Sequence, residues 1–180
     1  MAEDLRYRDT SDGDVASALV AECRAEEENC LYTSTTFYIW LRCLKTVRAL
    51  LWAAGAAGSV IAASHILRGD NQYRFATALA ALVGVLLPAL VKALKLDVVI
   101  RDYAEAAARF KSLQGEFRRL ANVWSHKELP MFEQEARRAF AAMNEARKPS
   151  LTPPEVCFRL ARWKIKRGHY VPAAEAPPQL

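Results

Sequence analysis

"LLWAAGAAGSVIAASHIL", residues 50–67, contains no charged side chain and is rich in alanine, glycine and serine. The uncharged stretch begins one residue earlier, at Ala49, and covers 19 residues in all. A helix rises about 1.5 Å per residue, so this stretch extends about 28 Å, close to the roughly 30 Å hydrocarbon thickness of a bilayer. It therefore predicts a membrane-spanning helix over residues 49–67.

A second uncharged stretch, "FATALAALVGVLLPALV", occupies residues 75–91 and follows the first after only seven residues, "RGDNQYR". The Gly, Asp and Asn of that short segment are typical of a turn. Together the stretches predict a two-helix transmembrane hairpin over residues 49–91 in an all-α protein. The alternative is a soluble helical bundle with both stretches in its core. A chain of 180 residues disfavours it, because helices that are apolar on every face need a large protein or lipid around them.

Lysine and arginine residues flank the predicted spans unequally. Six lie near the ends away from the turn, at positions 42, 45, 48, 92, 95 and 101, whereas two lie in the turn. Basic residues concentrate on the cytoplasmic side of membrane proteins, so we expect both termini to be cytoplasmic. The first apolar stretch also begins too far from Met1 for a cleaved signal peptide, so we expect the spans to be retained.

Small residues recur at helical spacing in both stretches. In lipid they let helix backbones approach closely, which predicts association between chains with a weakly polar pore lining, or packing within one hairpin. Pro88 removes a helical hydrogen bond and is expected to kink the second span. His65 is the one ionisable residue in the two stretches and predicts either a functional group in the membrane or a position among headgroups. The stripe comprises Gly55, Gly58, Ser59, Ala62, His65, Ala80, Gly84 and Pro88.

Apolar residues repeat every seven positions after the second span. This heptad pattern predicts a helix with a packing seam, and its aromatic residues favour a broad bundle over a two-stranded coil. We expect the seam to join copies of the chain in a homo-oligomer. Its residues are Leu96, Val99, Tyr103, Phe110, Leu113, Phe117, Leu120 and Trp124.

A similar repeat precedes the membrane and includes Cys23, Cys30 and Phe37. It predicts a helix that is capped by Ser11 or Asp12 and runs unbroken into the first span. The four cysteines have no C-x-x-C spacing, so we interpret them as reduced packing residues rather than metal ligands or disulfides.

The C-terminal third predicts two more helices. Pro130 suits the first turn of a helix over residues 130–147, and "PSLTPP", residues 149–154, is a linker. The next segment, "EVCFRLARWKIKRGHY", mixes bases with apolar residues, which is typical of binding to an anionic lipid surface or an acidic partner. Docking on the neighbouring helices is the alternative. The basic residues are Arg159, Arg162, Lys164, Lys166 and Arg167.

No sequence motif predicts catalysis, a metal or a cofactor. His65, His126 and His169 are isolated from one another, and the chain has no H-E-x-x-H, G-x-S-x-G or Walker motif. Nucleic-acid binding rests on charge alone, because the base-stacking motifs of RNA and single-strand modules are missing. We therefore expect neither an enzyme nor a nucleic-acid-binding protein.

The order of segments resembles the SLATT domain family, two-span effectors associated with nucleotide-synthesising (SMODS) and SLOG sensor proteins in bacterial conflict systems. The resemblance covers most of residues 15–170 and rests on Tyr32 and Ser34 in "CLYTSTTFY" ahead of the hairpin, and on "ARWKIKRGHY" after it. Many members carry a histidine about where Phe37 stands. The resemblance implies an effector that oligomerises in the bacterial inner membrane and permeabilises the cell when a separate sensor or nucleotide-synthesising partner detects phage infection.

The sequence therefore divides into four segments, and two functions remain open. One is the pore-forming effector, and the other is a non-conducting membrane scaffold that recruits partners through the basic C-terminal helix. The segments are residues 1–48, an acidic leader and amphipathic helix; 49–91, the hairpin; 92–148, a cytosolic helical hairpin; and 149–180, the linker, basic helix and tail.

Overall fold

The computed structural model describes the backbone of residues 2–68, 74–148 and 151–168, with side chains from Gly13 onward except that of Arg68. Within these ranges the chain is all-α, as the sequence predicts, with no β-strand. A short 3₁₀ turn, Trp124–His126, precedes the fourth helix. The helices are α1 (Ala2–Arg68), α2 (Arg74–Ala93), α3 (Leu96–Asn122), α4 (Leu129–Arg147) and α5 (Glu155–Lys166).

Helix α1 is 67 residues long and includes the whole first apolar stretch. This confirms the prediction that the N-terminal helix continues unbroken into that stretch. The expected start at Ser11 or Asp12 is wrong, because helical backbone continues through both residues to Ala2. Serine and aspartate are only mildly unfavourable inside a helix, so neither needs to end one.

The chain divides into two compact units, and α1 and α3 each contribute to both. The first unit contains the residues up to Ile39 and those from Glu105 onward. Its core is a set of buried side chains that recur every three to four residues, as expected where one face of each helix is covered. They include Cys23, Cys30, Phe37, Phe110, Phe117, Phe132, Ala136, Met143 and Ala161.

The second unit, Trp40–Ala104, contains both apolar stretches and the beginning of α3. Its large buried side chains lie mainly beyond the apolar stretches, where Leu41, Leu44, Ile100 and Tyr103 are covered and the Trp40 ring packs edge-on against Tyr103 at 6.5 Å. Inside the apolar stretches mostly small residues are buried. The large apolar side chains of the two stretches therefore lie mostly on the outside of the second unit.

Two helix ends depend on left-handed backbone. Lys95 has φ 48° and lies between α2 and α3, where its carbonyl accepts the first hydrogen bonds of α3. Gly168 has φ 75°, and its N–H donates to the Ile165 carbonyl at 3.0 Å. Glycine adopts this conformation without steric cost, whereas lysine does so only where its surroundings require it. Lys95 therefore marks the junction between α2 and α3, just after the second apolar stretch.

Candidate functional site

The two apolar stretches meet through small residues, at distances that larger side chains do not allow. A Cβ atom added to Gly58 would lie 2.7 Å from the Ala80 carbonyl oxygen, and one added to Gly84 would lie 2.5 Å from Ser59 Oγ. Nearer the start of the first stretch, a Cβ on Gly55 would lie 3.0 Å from Pro88 Cδ. Real Cβ atoms essentially never come within 3.0 Å of another atom, so at Gly58, where the neighbouring atom is backbone, this close approach requires glycine.

The contacts also define the register of the two stretches. Gly55 faces Pro88, whereas Gly58 faces Ala80 and Gly84, so higher positions in the first stretch meet lower positions in the second. Such pairing is that of antiparallel helices. The Ser59 hydroxyl donates to the Gly55 carbonyl at 3.0 Å, which satisfies this polar group within its own helix.

The outer surface of these stretches is almost entirely apolar. Both α1 and α2 are long and apolar enough to cross a membrane, yet only 17% of the most apolar part of α1 and 11% of that of α2 is buried inside the chain. Leu67, Phe75 and Val85 are each more than two-thirds exposed. A soluble protein rarely leaves so continuous an apolar surface uncovered, because burying it against other protein would stabilise the fold.

The small-residue stripe is therefore used inside one chain. Gly55, Gly58, Ala62 and Gly84 are buried between α1 and α2, which fits packing within one hairpin and not a pore lining. His65 is half-buried and Ser59 faces outward in part. Of the uses that the sequence leaves open for the stripe, these glycines therefore show packing within one hairpin.

Charged and amphipathic side chains lie near the start of the first apolar stretch. Arg48, one residue before the first stretch, donates a hydrogen bond from Nη1 to the Asp97 carboxylate at the start of α3. Trp52 is half-exposed four positions further on. Tryptophan and arginine at the end of an apolar helix are typical of a membrane–water interface. The Arg48–Asp97 pair has no local sequence signal, because the partners are 49 positions apart.

The Tyr32–Phe37 segment, on which the family resemblance rests, lies in the core of the first unit. Ser34 is buried, and its hydroxyl donates to the Leu31 carbonyl at 3.2 Å. Tyr32 is half-buried, and its carbonyl accepts a 2.8 Å hydrogen bond from Thr36 Oγ1. Phe37 is buried and packs edge-on against Phe110 with ring centroids 5.7 Å apart. Phenylalanine at this position thus fills an apolar site, and the serine and threonine hydroxyls bond to their own helix.

The heptad seam of α3 is also occupied within the chain. Tyr103, Phe110, Leu113, Phe117 and Leu120 are buried in a single copy, and Leu96, Val99 and Trp124 are half-buried. Phe117 packs against Phe140 of α4 with centroids 5.3 Å apart. The expectation that this seam joins copies of the chain is therefore corrected, because a buried seam has no free surface for a second copy. Trp124, the last residue of the seam, lies outside α3, which ends at Asn122, and belongs to the 3₁₀ turn.

Two cysteines serve as core residues of the first unit. Cys23 and Cys30 are fully buried and free, and the Cys30 thiol donates to Met143 Sδ at 3.7 Å. Burial raises the pKa of Cys23 to about 11, with a smaller contribution from Glu22. The pKa of Cys30 is raised to about 12, mainly by burial and to a smaller extent by the charge of Glu26. Thiols that stay protonated are unreactive, which agrees with a packing role.

Helices α1 and α4 are joined near Cys30 by an ion pair that sequence reasoning missed. Arg147 Nη2 donates to both carboxylate oxygens of Glu26, at 3.1 and 2.8 Å. Two adjoining openings of 230 and 450 Å³ lie nearby and share Thr33, Phe37 and Leu151 in their walls. The 121 positions between the ion-pair partners leave no local signal in the sequence.

Helix α5 combines docking with exposure. Cys157 and Ala161, one turn apart, are buried within the first unit, so this side of the helix packs against its neighbours. Its other side leaves Val156, Leu160 and Trp163 exposed. The guanidinium of Arg167 lies 4.0 Å from the centre of the Trp163 ring, a cation–π contact. The bases Arg159, Arg162, Lys166 and Arg167 are exposed, and Lys164 is half-buried.

The described residues contain no group of three or more His, Cys, Asp or Glu side chains placed to hold a metal ion. No protein-family model matches the chain, and no curated protein or solved structure matches it either. The geometry therefore has to carry any functional conclusion, and its main features are a close-packed pair of apolar helices and an exposed basic helix.

Proposed function

We propose that the chain is an integral membrane protein in which the two apolar stretches form a transmembrane hairpin. The observation that carries this proposal is their exposure, because nine-tenths of the apolar part of α2 and more than four-fifths of that of α1 are uncovered. Lipid covers such a surface without further protein. The glycine contacts between the helices fit the same environment, since close packing of small residues stabilises helix pairs in lipid.

We further propose that the protein is a pore-forming or membrane-disrupting effector of a bacterial anti-phage system. This step rests on the resemblance to the SLATT family, which implies an oligomer in the inner membrane with cytoplasmic termini. A separate sensor or nucleotide-synthesising partner would activate it. Since the α3 seam and the small-residue stripe are used inside one chain, copies would meet through the lipid-facing sides of the hairpin.

The effector role predicts that the protein makes membranes permeable to ions. Expression in bacteria should depolarise the cells, and the purified protein should conduct in planar bilayers as its density rises. A variant with Gly58→Leu should lose conductance because its hairpin cannot close, whereas Ala108→Leu, at an exposed position of α3 outside the apolar stretches, is the control. Membranes that stay tight under all of these conditions would contradict the effector role.

The second candidate is a non-conducting scaffold that recruits partners through α5. It is favoured by the exposed bases of that helix and by the outward Trp163. Reversing the charges of Arg162 and Lys166 should then abolish partner recruitment while membranes remain tight throughout. Conductance that survives this substitution would favour the effector.

A further inference from the structure

Helix α5 presents three surfaces, and only one of them is used inside the chain. Cys157 and Ala161 form the docked surface, with exposures of 8% and 0%. Val156, Leu160 and Trp163 recur at spacings of four and three on another side, with exposures of 64%, 40% and 47%. An isolated apolar residue on a surface needs no explanation, but three in a row along one helix form a strip that suits an apolar environment.

The bases of α5 flank this strip. On a helical projection, with 100° per residue, Arg159 and Lys166 lie on one side of the strip and Lys164 on the other, and Arg167, just after the helix, lies in line with the strip. No acidic residue follows Glu155 in the helix. An apolar strip with bases on both sides is the pattern of helices that lie in the plane of an anionic bilayer surface.

Arg167 and Trp163 support the same environment. The guanidinium lies 4.0 Å over the centre of the indole ring, so the two side chains form one amphipathic unit on the outward surface. Tryptophan prefers the headgroup region of a bilayer, and the long stems of lysine and arginine can cover apolar surface while their charges reach phosphate groups.

We infer that α5 lies on an anionic membrane surface, with Val156, Leu160 and Trp163 entering the headgroup region and Arg159, Lys166 and Arg167 binding lipid phosphates. The inference rests on the proposed membrane insertion, which brings the chain to a bilayer. The docked surface, Cys157 and Ala161, fixes the rotation of α5 so that the apolar strip stays outward. Binding therefore needs no refolding of the helix.

The test places an environment-sensitive fluorophore on α5 of the full chain in vesicles. Cys43, the exposed free cysteine among those described, is replaced by serine, and Val156→Cys is labelled; the other native cysteines are buried. Vesicles of phosphatidylcholine alone are compared with vesicles that also contain phosphatidylglycerol. We expect emission at shorter wavelength only in the anionic vesicles, with the shift reversed by high salt because salt screens the charge attraction. A label at exposed Gln134→Cys on α4 is the matched control and should not respond.

Neutralising two bases, with Arg159→Gln and Lys166→Gln, should lower the equilibrium for surface binding by roughly 25-fold, since each base near an anionic surface contributes about fivefold. Flotation of the vesicles separates this inference from the proposed insertion. If the protein floats with both vesicle types but the label on α5 responds in neither, the surface inference is wrong and insertion stands. An acidic protein partner would then be the ligand for the bases. If the protein floats with neither, both are wrong.

Discussion

Gly58 and the Ala80 carbonyl lie so close across the two apolar stretches that a methyl group on Gly58 would come within 2.7 Å of the oxygen. The neighbour is backbone, which cannot rotate away as the end of a flexible side chain can. The contact therefore makes Gly58 the position where the separation of the two helices is set.

Replacing Gly58 by alanine is expected to destabilise the helix pair by about 1–3 kcal/mol, the usual cost of an added group in a filled space. The measurement is the temperature at which helicity is lost in mild detergent. Ala57, next to it and exposed, provides the control: Ala57→Leu should leave that temperature nearly unchanged. Equal losses for the two variants would show that the glycine contact does not hold the helices together.

Gly84 and Ser59 should be energetically coupled. A Cβ on Gly84 would lie 2.5 Å from Ser59 Oγ and 3.0 Å from the Ser59 backbone nitrogen. Gly84→Ala should therefore be destabilising, and Ser59→Ala, which removes the nearer atom, should recover part of the loss. A double-mutant cycle measures this, and contacting residues typically give about 0.5–3 kcal/mol. Strictly additive effects would place the two residues out of contact.

Phe37→His tests whether position 37 is an apolar packing site. Phe37 is 6% exposed and packs against the Phe110 ring, so imidazole there should cost about 1–3 kcal/mol of stability through its uncompensated burial. A buried histidine has a lowered pKa, so the loss should grow as the pH falls below about 6.5, where the unfolded chain takes up a proton. Phe37→Leu, without a titrating group, should show no such pH dependence. A histidine variant as stable as the parent at every pH would contradict the apolar packing of this site.

The cysteines should separate by reactivity. Cys43 is exposed, whereas Cys23 and Cys30 are fully buried and burial raises their pKa values to about 11 and 12. At pH 8 a maleimide should label Cys43 within the native protein, and Cys23 and Cys30 only after denaturation, as peptide mass spectrometry can show. Both thiols stay protonated to a higher pH in the folded chain than in the unfolded chain. The free energy of unfolding should therefore fall as the pH rises from about 9 through the range of the raised pKa values. Rapid native labelling of Cys30 would contradict its packing against Met143.

The sequence predicts the helices well because their signals are local. The uncharged stretches at 49–67 and 75–91 fall inside α1 and α2, the heptad begins at Leu96 where α3 begins, and Pro130 lies in the first turn of α4. Which partner each helix surface packs against, however, has no local signal in the sequence. Glycine stripes and heptad seams look the same whether they meet another helix of the same chain or a second copy, and only the packing of Phe117 on Phe140 and of Gly58 on Ala80 distinguishes the two.

Ion pairs between distant positions also could not be predicted from the sequence. Glu26 and Arg147 are 121 positions apart, and Arg48 and Asp97 are 49 apart, so any of the many charged residues could have been the partner. The outward strip of α5 had a signal in the spacing of Val156, Leu160 and Trp163. The burial of Cys157 and Ala161 determines that this strip is the exposed side of the helix, and that burial has no local signal.

Membrane insertion is tested most directly by carbonate extraction combined with labelling of a single cysteine. The native cysteines are removed, Asn71→Cys is placed between the two apolar stretches, and a membrane-impermeant maleimide is added to intact spheroplasts. We predict that the protein stays in the carbonate-washed membranes and that the cysteine is labelled from outside, which is the result of a hairpin with cytoplasmic termini. Release of the protein by carbonate would contradict insertion and leave the soluble bundle, whereas retention with labelling only after lysis would reverse the orientation.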